Sequence, residues 1–235
     1  MAQSEHSSKQ YDIDLETLRS RVLEMGGVVE AQILAAINGL MAGDLHALDK
    51  VIAEDHRVNA LEVSIDTDCS HLIARRQPAA GDLRMVLAVI KIVTDLERIG
   101  DEAAKIARMG KQGLSRARLP ITPLAAVRHV GDIAIRMLRK AVDALARLDP
   151  APAAAIVRED FEIDEEFRSI VRQLITFMME DPRTISQALE IVWIAKAIER
   201  IGDHSKNMAE QVIYIVKGTD VRHTSVEDLE REALG

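Results

Sequence analysis

The chain has 235 residues, a formal charge of −8, 29% charged and 48% hydrophobic residues, a balance that excludes disorder and argues against nucleic acid as the main partner. Aromatic residues make up only 3% and the single cysteine is Cys69, so the core must be aliphatic, an internal disulfide is excluded, and a reducing cytoplasm fits. The polar start MAQSEHSSKQ lacks a signal core, and the most apolar stretches, Leu83 to Val93 and Leu189 to Ile198, are too short and too charge-interrupted to span a bilayer; the expectation is a soluble cytoplasmic protein.

Apolar residues recur at three- and four-residue steps almost throughout, which is the helical period. The first predicted helix runs from about Asp14 to Met41 and stops at Gly43. The second starts at Asp44, a good N-cap, and runs to about Arg76 ahead of Pro78. The third spans about Gly81 to Met109, followed by an aperiodic, basic linker from Lys111 to Pro120. Thr122-Pro123 opens the fourth as an N-cap with proline at the first helical position. Asp149-Pro150 repeats that signal for the fifth, which ends near Glu180. The sixth begins near Thr184, where Thr184 and Gln187 have capping-box spacing, and runs to Lys217 and Gly218. The tail beyond is polar and is expected to be loose.

The two halves align. Asp44 matches Asp149 at helix starts, Asp55 matches Asp160, Asn59 matches Asp164, and Pro78 matches Pro182. The fold expected is therefore all-α, two tandem three-helix bundles related by internal duplication, with residues 1–113 forming the first and 114–235 the second. Each helix would be about 40–50 Å long at 1.5 Å per residue.

The sharpest sign of duplication is Glu97-Arg98-Ile99-Gly100-Asp101, which recurs letter for letter as Glu199-Arg200-Ile201-Gly202-Asp203. On a helical wheel Glu97 and Asp101 continue the stripe of Leu83, Val86, Ile90 and Val93, and Glu199 and Asp203 continue that of Ile185, Ala188, Val192 and Ala195. Helix two adds Asp55, Asn59, Glu62 and Asp66 along the edge of the stripe Val51, Val58, Ile65 and Cys69; helix five adds Asp160 and Asp164. The carboxylates thus sit where a core belongs.

An exposed acidic pair one turn apart costs only about 0.2–0.5 kcal/mol. Two carboxylates about 5 Å apart in a half-desolvated seam repel by roughly 3 kcal/mol. Protonation, an arginine or lysine, or a metal ion must compensate. Oxygen-only donors favour hard cations such as Mg²⁺, Mn²⁺ or Ca²⁺, with iron also conceivable. The alternative is structural pairing with Arg98, Arg200 or basic residues of helices one and four. His204 points about 100° away from Asp203 and reads as a surface or supporting residue. Cys69, Met178-Met179 and Trp193 read as packing residues. A di-iron oxidase would need Glu-x-x-His on two helices, and that pattern does not occur; phosphate-binding and nucleophile-elbow motifs are absent as well. A metal-storage or redox carboxylate bundle is nevertheless the alternative to a protein without chemistry.

The segments LERIGDEAAKIAR, IERIGDHSKN, IARRQPAAGDLR, IVRQLITFMMEDPRTI and YIVKGTDVRH together resemble the PhoU family of phosphate-uptake regulators over nearly the whole chain. The resemblance implies tandem three-helix bundles, a homodimer, and a cytoplasmic negative regulator, not an enzyme, linking the ATPase subunit of a Pst-type phosphate transporter (PstB) to the sensor kinase PhoR, with membrane contact only through these partners. It also implies metal binding at (E/D)xxxD motifs, here Glu97/Asp101 and Glu199/Asp203 with Asp55 and Asp160 starting the partner motifs, with iron or zinc as the ion; together with the oxygen-donor argument the candidates are Mg, Mn, Fe or Zn. Asn59 stands where Asp164 stands in the other half, so the first site is expected to bind metal more weakly.

Overall fold

The structure, a computed structural model, describes residues 2–76, 78, 80–116, 121–222 and 224–234. Seven α-helices are seen among them: α1 (Ala2–Ala42), α2 (Leu45–Arg76), α3 (Ala80–Arg116), α4 (Ile121–Arg147), α5 (Ala151–Glu180), α6 (Ile185–Lys217) and α7 (Val226–Leu234), with a 3₁₀ turn at Pro182–Thr184 before α6. Helices α1–α3 and α4–α6 each pack mutually as three-helix bundles. The bundles join chiefly where α3 lies along α6, and secondarily where α1 meets α4. Arg200 meets Glu102, His204 meets Asp95 and Tyr214 meets Arg84, so α3 and α6 run antiparallel.

The stripes read from the sequence bury as aliphatic seams. Val22, Met25, Val29, Ile33, Ile37 and Leu40 line α1, and Val51, Val58, Ile65 and Cys69 line α2. Each fully buried aliphatic side chain stabilises by about 1.5–3 kcal/mol. In α1, Ile13–Ala42 is long and apolar enough to cross a membrane by length and composition, but half of its most apolar window is buried against the other helices, as a core helix requires. That stretch escaped the sequence reading, which looked only at α3 and α6.

The turns follow their local chemistry. Gly43 has φ +67°, and beside it Asp44 N–H donates to Gly39 O at 2.9 Å, closing α1. Asp44 Oδ1 then accepts from the N–H groups of His46 and Ala47, capping α2 as expected. Asp149 Oδ1 likewise accepts from Ala151 N–H. Gly218, at φ +83°, ends α6.

Four expectations need correction. Helix α1 begins at Ala2 rather than near Asp14, since no proline or glycine interrupts that stretch. The third helix does not stop at Met109: α3 continues to Arg116, because Leu114 packs against the core and Lys111 Nζ reaches Asp49 Oδ1 at 2.5 Å. The division between residues 113 and 114 thus falls inside its last turn, and residues 117–120 of the expected linker lie outside the described residues. Helix α4 starts at Ile121, placing Pro123 within the first turn, where its missing N–H costs nothing. Thr184 forms no capping box; its hydroxyl bonds Phe177 O and Asp181 O, and the 3₁₀ turn takes the cap's place.

The tail is not loose throughout. Helix α7 docks on α5 and α6 with Leu229 and Ala233 buried. Ser225 caps it through Asp228 N–H, and Glu230 pairs with Arg158 of α5 at 2.5 Å.

Candidate functional site

The repeated glycine of the duplicated pentapeptide sits where helices come closest. A Cβ on Gly100 would stand 3.1 Å from Val58 Cγ1 and 3.2 Å from Gln32 Oε1; one on Gly202 would stand 2.8 Å from Ile163 Cδ1. The absent side chains bring α3 against α2 and α6 against α5, and thereby bring the acidic residues of neighbouring helices together.

In the first bundle Asp55, Glu62, Glu97 and half-buried Asp101 face one another. Burial first, then the nearby charges of Asp101 and Glu62, raise the Glu97 carboxyl above its ordinary range. Burial first and then Asp55 do the same for Asp101. Arg98 Nε lies 3.6 Å from Glu97 Oε2, and the positive charges of Arg108 and Arg98 act against the rise at Asp101. Gln32 of α1 donates from Nε2 to Asp55 Oδ1 at 2.9 Å. The remaining members of the expected line, Asn59 and Asp66, are exposed: on α2 their angular offset carries them off the seam.

In the second bundle the corresponding acids come with lysines. Asp160 is 6% exposed, and Lys206 Nζ lies 2.6 Å from its Oδ2. Burial raises the Asp160 carboxyl, with Lys206 opposing. Burial would lower the Lys206 ammonium, but its bond to Asp160 together with the charges of Asp160, Glu210 and Asp203 holds it above its ordinary value. Glu199, 8% exposed, accepts from Lys196 Nζ through Oε1, while its Oε2 is buried without a hydrogen bond. Asp203 is raised by burial and then by Glu199. Asp164 stands 4.0 Å from Arg168. Lysines of α6 itself were the residues that sequence reasoning missed. Their spacing was the available signal: Lys196 and Lys206 lie three residues outside Glu199 and Asp203, within one helical turn.

Arg200 turns away to Glu102 of α3 at 3.1 Å, and His204 Nδ1 lies 2.8 Å from Asp95 Oδ1, so both residues join the bundles rather than line the acidic set. Cys69 is in the core, and burial pushes its thiol up to about 12. Trp193 is 53% exposed and Met179 79%, so neither is the packing residue expected; Met178 does pack against the core. Ile185, placed on the α6 seam by the wheel, is exposed too.

Among the described residues no three His, Cys, Asp or Glu side chains converge tightly enough to enclose a metal ion as they stand. The first bundle's donor set is all oxygen and includes a buried, unpaired amide oxygen, Gln32 Oε1, which fits a hard cation. The second has ammonium groups already in place and fits one poorly.

The scaffold is all-helical and duplicated, with charged seams where neighbouring helices meet. The PhoU domain model matches residues 22–109 and again 127–212. The chain is 48% identical to a phosphate-specific transport system accessory protein PhoU homolog of Burkholderia sp, covering 97% of this chain and 98% of that one. It is 42% identical to the phosphate-specific transport system accessory protein PhoU of Escherichia coli (strain K12), covering 99% and 95%. The crystal structure of PhoU from Pseudomonas aeruginosa superimposes with a TM-score of 0.86 at 44% identity, covering 89% of this chain and all of that one. This chain belongs to the PhoU family. It is a phosphate transport accessory protein built of two PhoU repeats, and not an enzyme.

Proposed function

We propose that this protein is a cytoplasmic negative regulator of the phosphate-starvation response. It would act as an adaptor between the ATPase subunit of a Pst-type transporter and a PhoR-type sensor kinase, and work as a homodimer. The observation that carries this reading is an apolar surface at one end of the second bundle. Ile175 and Met179 on α5, and Ile185, Leu189 and Trp193 on α6, are all exposed. Four-residue spacing gives each helix one apolar outer face beside the turn at 182–184. Large exposed apolar groups grouped in this way mark a protein-binding surface, and tryptophan is a common anchor in such surfaces.

Removing the gene should switch on phosphate-starvation genes in phosphate-rich medium, and the purified protein should retain the transporter ATPase and the kinase in a pull-down. Trp193→Asp should abolish retention of at least one of them with the fold intact. Unchanged reporter output in the deletion strain would refute the regulatory role. A hard divalent cation at the acidic seam belongs to the same reading, as a tuning element rather than a reaction centre.

A further inference from the structure

The first half of α3 gathers positive charge around one tyrosine of α6. Arg84 and Lys91 lie seven residues apart, two turns along one face of the helix. Arg84 Cζ stands 6.0 Å from the centroid of the Tyr214 ring and Lys91 Nζ 5.6 Å from it. The electron-rich ring thus holds close together two cations that repel each other. Among the described residues neither of them forms an ion pair. Asp82 precedes Arg84 by two residues, about 200° away around the helix. Asp220 feels the charge of Lys91 but is already taken: Arg222 Nε and Nη2 reach its Oδ1 and Oδ2 at 2.9 and 2.5 Å. That pairing, above all, holds the Asp220 carboxyl down at about 2.

Arg84 is also incompletely satisfied. Its Nε is buried without a hydrogen-bond partner, and such a donor marks the place of a missing acceptor. Gly218, at φ +83°, ends α6 beside it, and a Cβ there would stand 2.5 Å from Arg84 Nη1. The glycine therefore serves the turn and also leaves room for the guanidinium. A cation at the carboxyl end of a helix is favourable in itself, which accounts for the position of Arg84. It accounts neither for Lys91 nor for the open Nε, and among the described residues Arg84 donates no hydrogen bond to the last carbonyls of α6. Nor does the duplication require this arrangement. The 102-residue offset of the repeated pentapeptide puts Ser186, Trp193 and Gln112 in the places of Arg84, Lys91 and Tyr214.

We propose that Arg84, Lys91 and Tyr214 form a binding site for a phosphate group, free or as part of a polyphosphate chain. A small turn of the guanidinium brings Nε and one Nη to two oxygens of the anion, the paired geometry that arginine offers to phosphate. Lys91 supplies a compact charge to a further oxygen, and the Tyr214 ring sets the spacing of the two cations. A phosphate ester carries about 1.5–2 negative charges at pH 7, enough to answer both cations, whereas a carboxylate answers one. The site lies about 30 Å along α6 from Trp193, at 1.5 Å per residue, so the anion and a protein partner on the apolar surface can be bound together.

Calorimetric titration of the full chain in metal-free buffer with pyrophosphate, inorganic phosphate and ATP tests this, with acetate as the carboxylate control. Pyrophosphate and ATP should bind alike, one per chain, with inorganic phosphate weaker and acetate without effect. Arg84→Gln and Lys91→Gln should each weaken pyrophosphate binding about tenfold or more. Tyr214→Leu should weaken it as well, and Tyr214→Phe, which keeps the ring, should not. Arg183→Gln removes an equal charge at the opposite end of α6 and should leave the affinity unchanged. Lys91 is exposed, so Lys91→Gln keeps the fold even where Arg84→Gln does not, and circular dichroism checks each variant. No binding of pyrophosphate by the wild-type chain, binding of ATP alone, or acetate binding as tight as that of phosphate overturns the proposal. So does unchanged affinity in Lys91→Gln, or a loss in Arg183→Gln as large as the loss in Lys91→Gln.

Discussion

Lys206 Nζ stands 2.6 Å from Asp160 Oδ2, an ammonium from α6 held by a carboxylate of α5 that is almost fully buried. The pair locks two helices of the second bundle at the level of the duplicated pentapeptide. Its counterpart in the first bundle is an amide from a third helix. The repeats thus share a backbone plan but hold the matching aspartates by different means, an ammonium in one and a neutral amide in the other.

Breaking that pair from one side leaves an uncompensated buried charge. Lys206→Met should destabilise the protein by about 3 kcal/mol, at the lower end of what such a break costs because the lysine is partly exposed. Lys206→Met with Asp160→Leu should recover most of the loss. Urea denaturation of the three proteins measures both effects; a double variant no more stable than the single one would remove the pair as the cause.

Stability should fall as pH rises through the weakly acidic range. Burial pushes the Glu210 carboxyl from its ordinary 4.5 up to about 7, against the pull of Lys206 and Arg222. Between these values the unfolded chain releases its proton first, so the folded state loses a few kcal/mol relative to it at about 1.4 kcal/mol per unit, and the loss is complete above pH 7. Glu97, Asp101, Asp160 and Asp203 shift in the same direction. Glu210→Gln should match the wild type near pH 4.5 and exceed it at pH 8. Parallel pH curves for the two proteins would contradict this.

Helix α7 should come away without the rest of the molecule unfolding. It is nine residues long and anchored mainly by Leu229, Ala233 and the Arg158–Glu230 pair. Leu229→Ala removes the largest of these anchors, a change that costs about 2–5 kcal/mol in a core, more than a helix of that length supplies by itself. Hydrogen exchange of residues 226–234 should accelerate while that of α6 stays slow. Protection that drops equally in both helices would show that α7 is part of the cooperative core.

The close approach at Gly202 leaves no room for a branched side chain. With Ile163 Cδ1 at 2.8 Å from the position of a Cβ, Gly202→Val should force α5 and α6 apart and cost about 1–3 kcal/mol. Asp160 and Lys206 flank that contact, so the variant should also weaken their pairing. Thermal denaturation supplies the first quantity and a double-mutant cycle with Lys206→Met the second; additive effects would separate the glycine from the pair.

Much of this protein was legible in its sequence. The three- and four-residue period of aliphatic residues, the caps at Asp44 and Asp149 and the glycines at 43 and 218 mark α-helices and their ends, because capping and left-handed turns are local chemistry. The repeated Glu-Arg-Ile-Gly-Asp marks the duplication and the seam. Length of α3 was not legible: Lys111 and Leu114 are held by partners on other elements, which override a weakly helical sequence. Nor was α7, whose short amphipathic pattern is stable only against α5 and α6.

Sequence by itself determined the elements, their duplication and the acids on the seam, since helix period and spacing are properties of a single segment. Tertiary structure alone decided what balances those acids. Which of Arg98, Lys206 or Gln32 reaches a buried carboxylate depends on how closely helices approach at Gly100 and Gly202 and on the direction of long side chains, and neither is encoded in the spacing of any one helix.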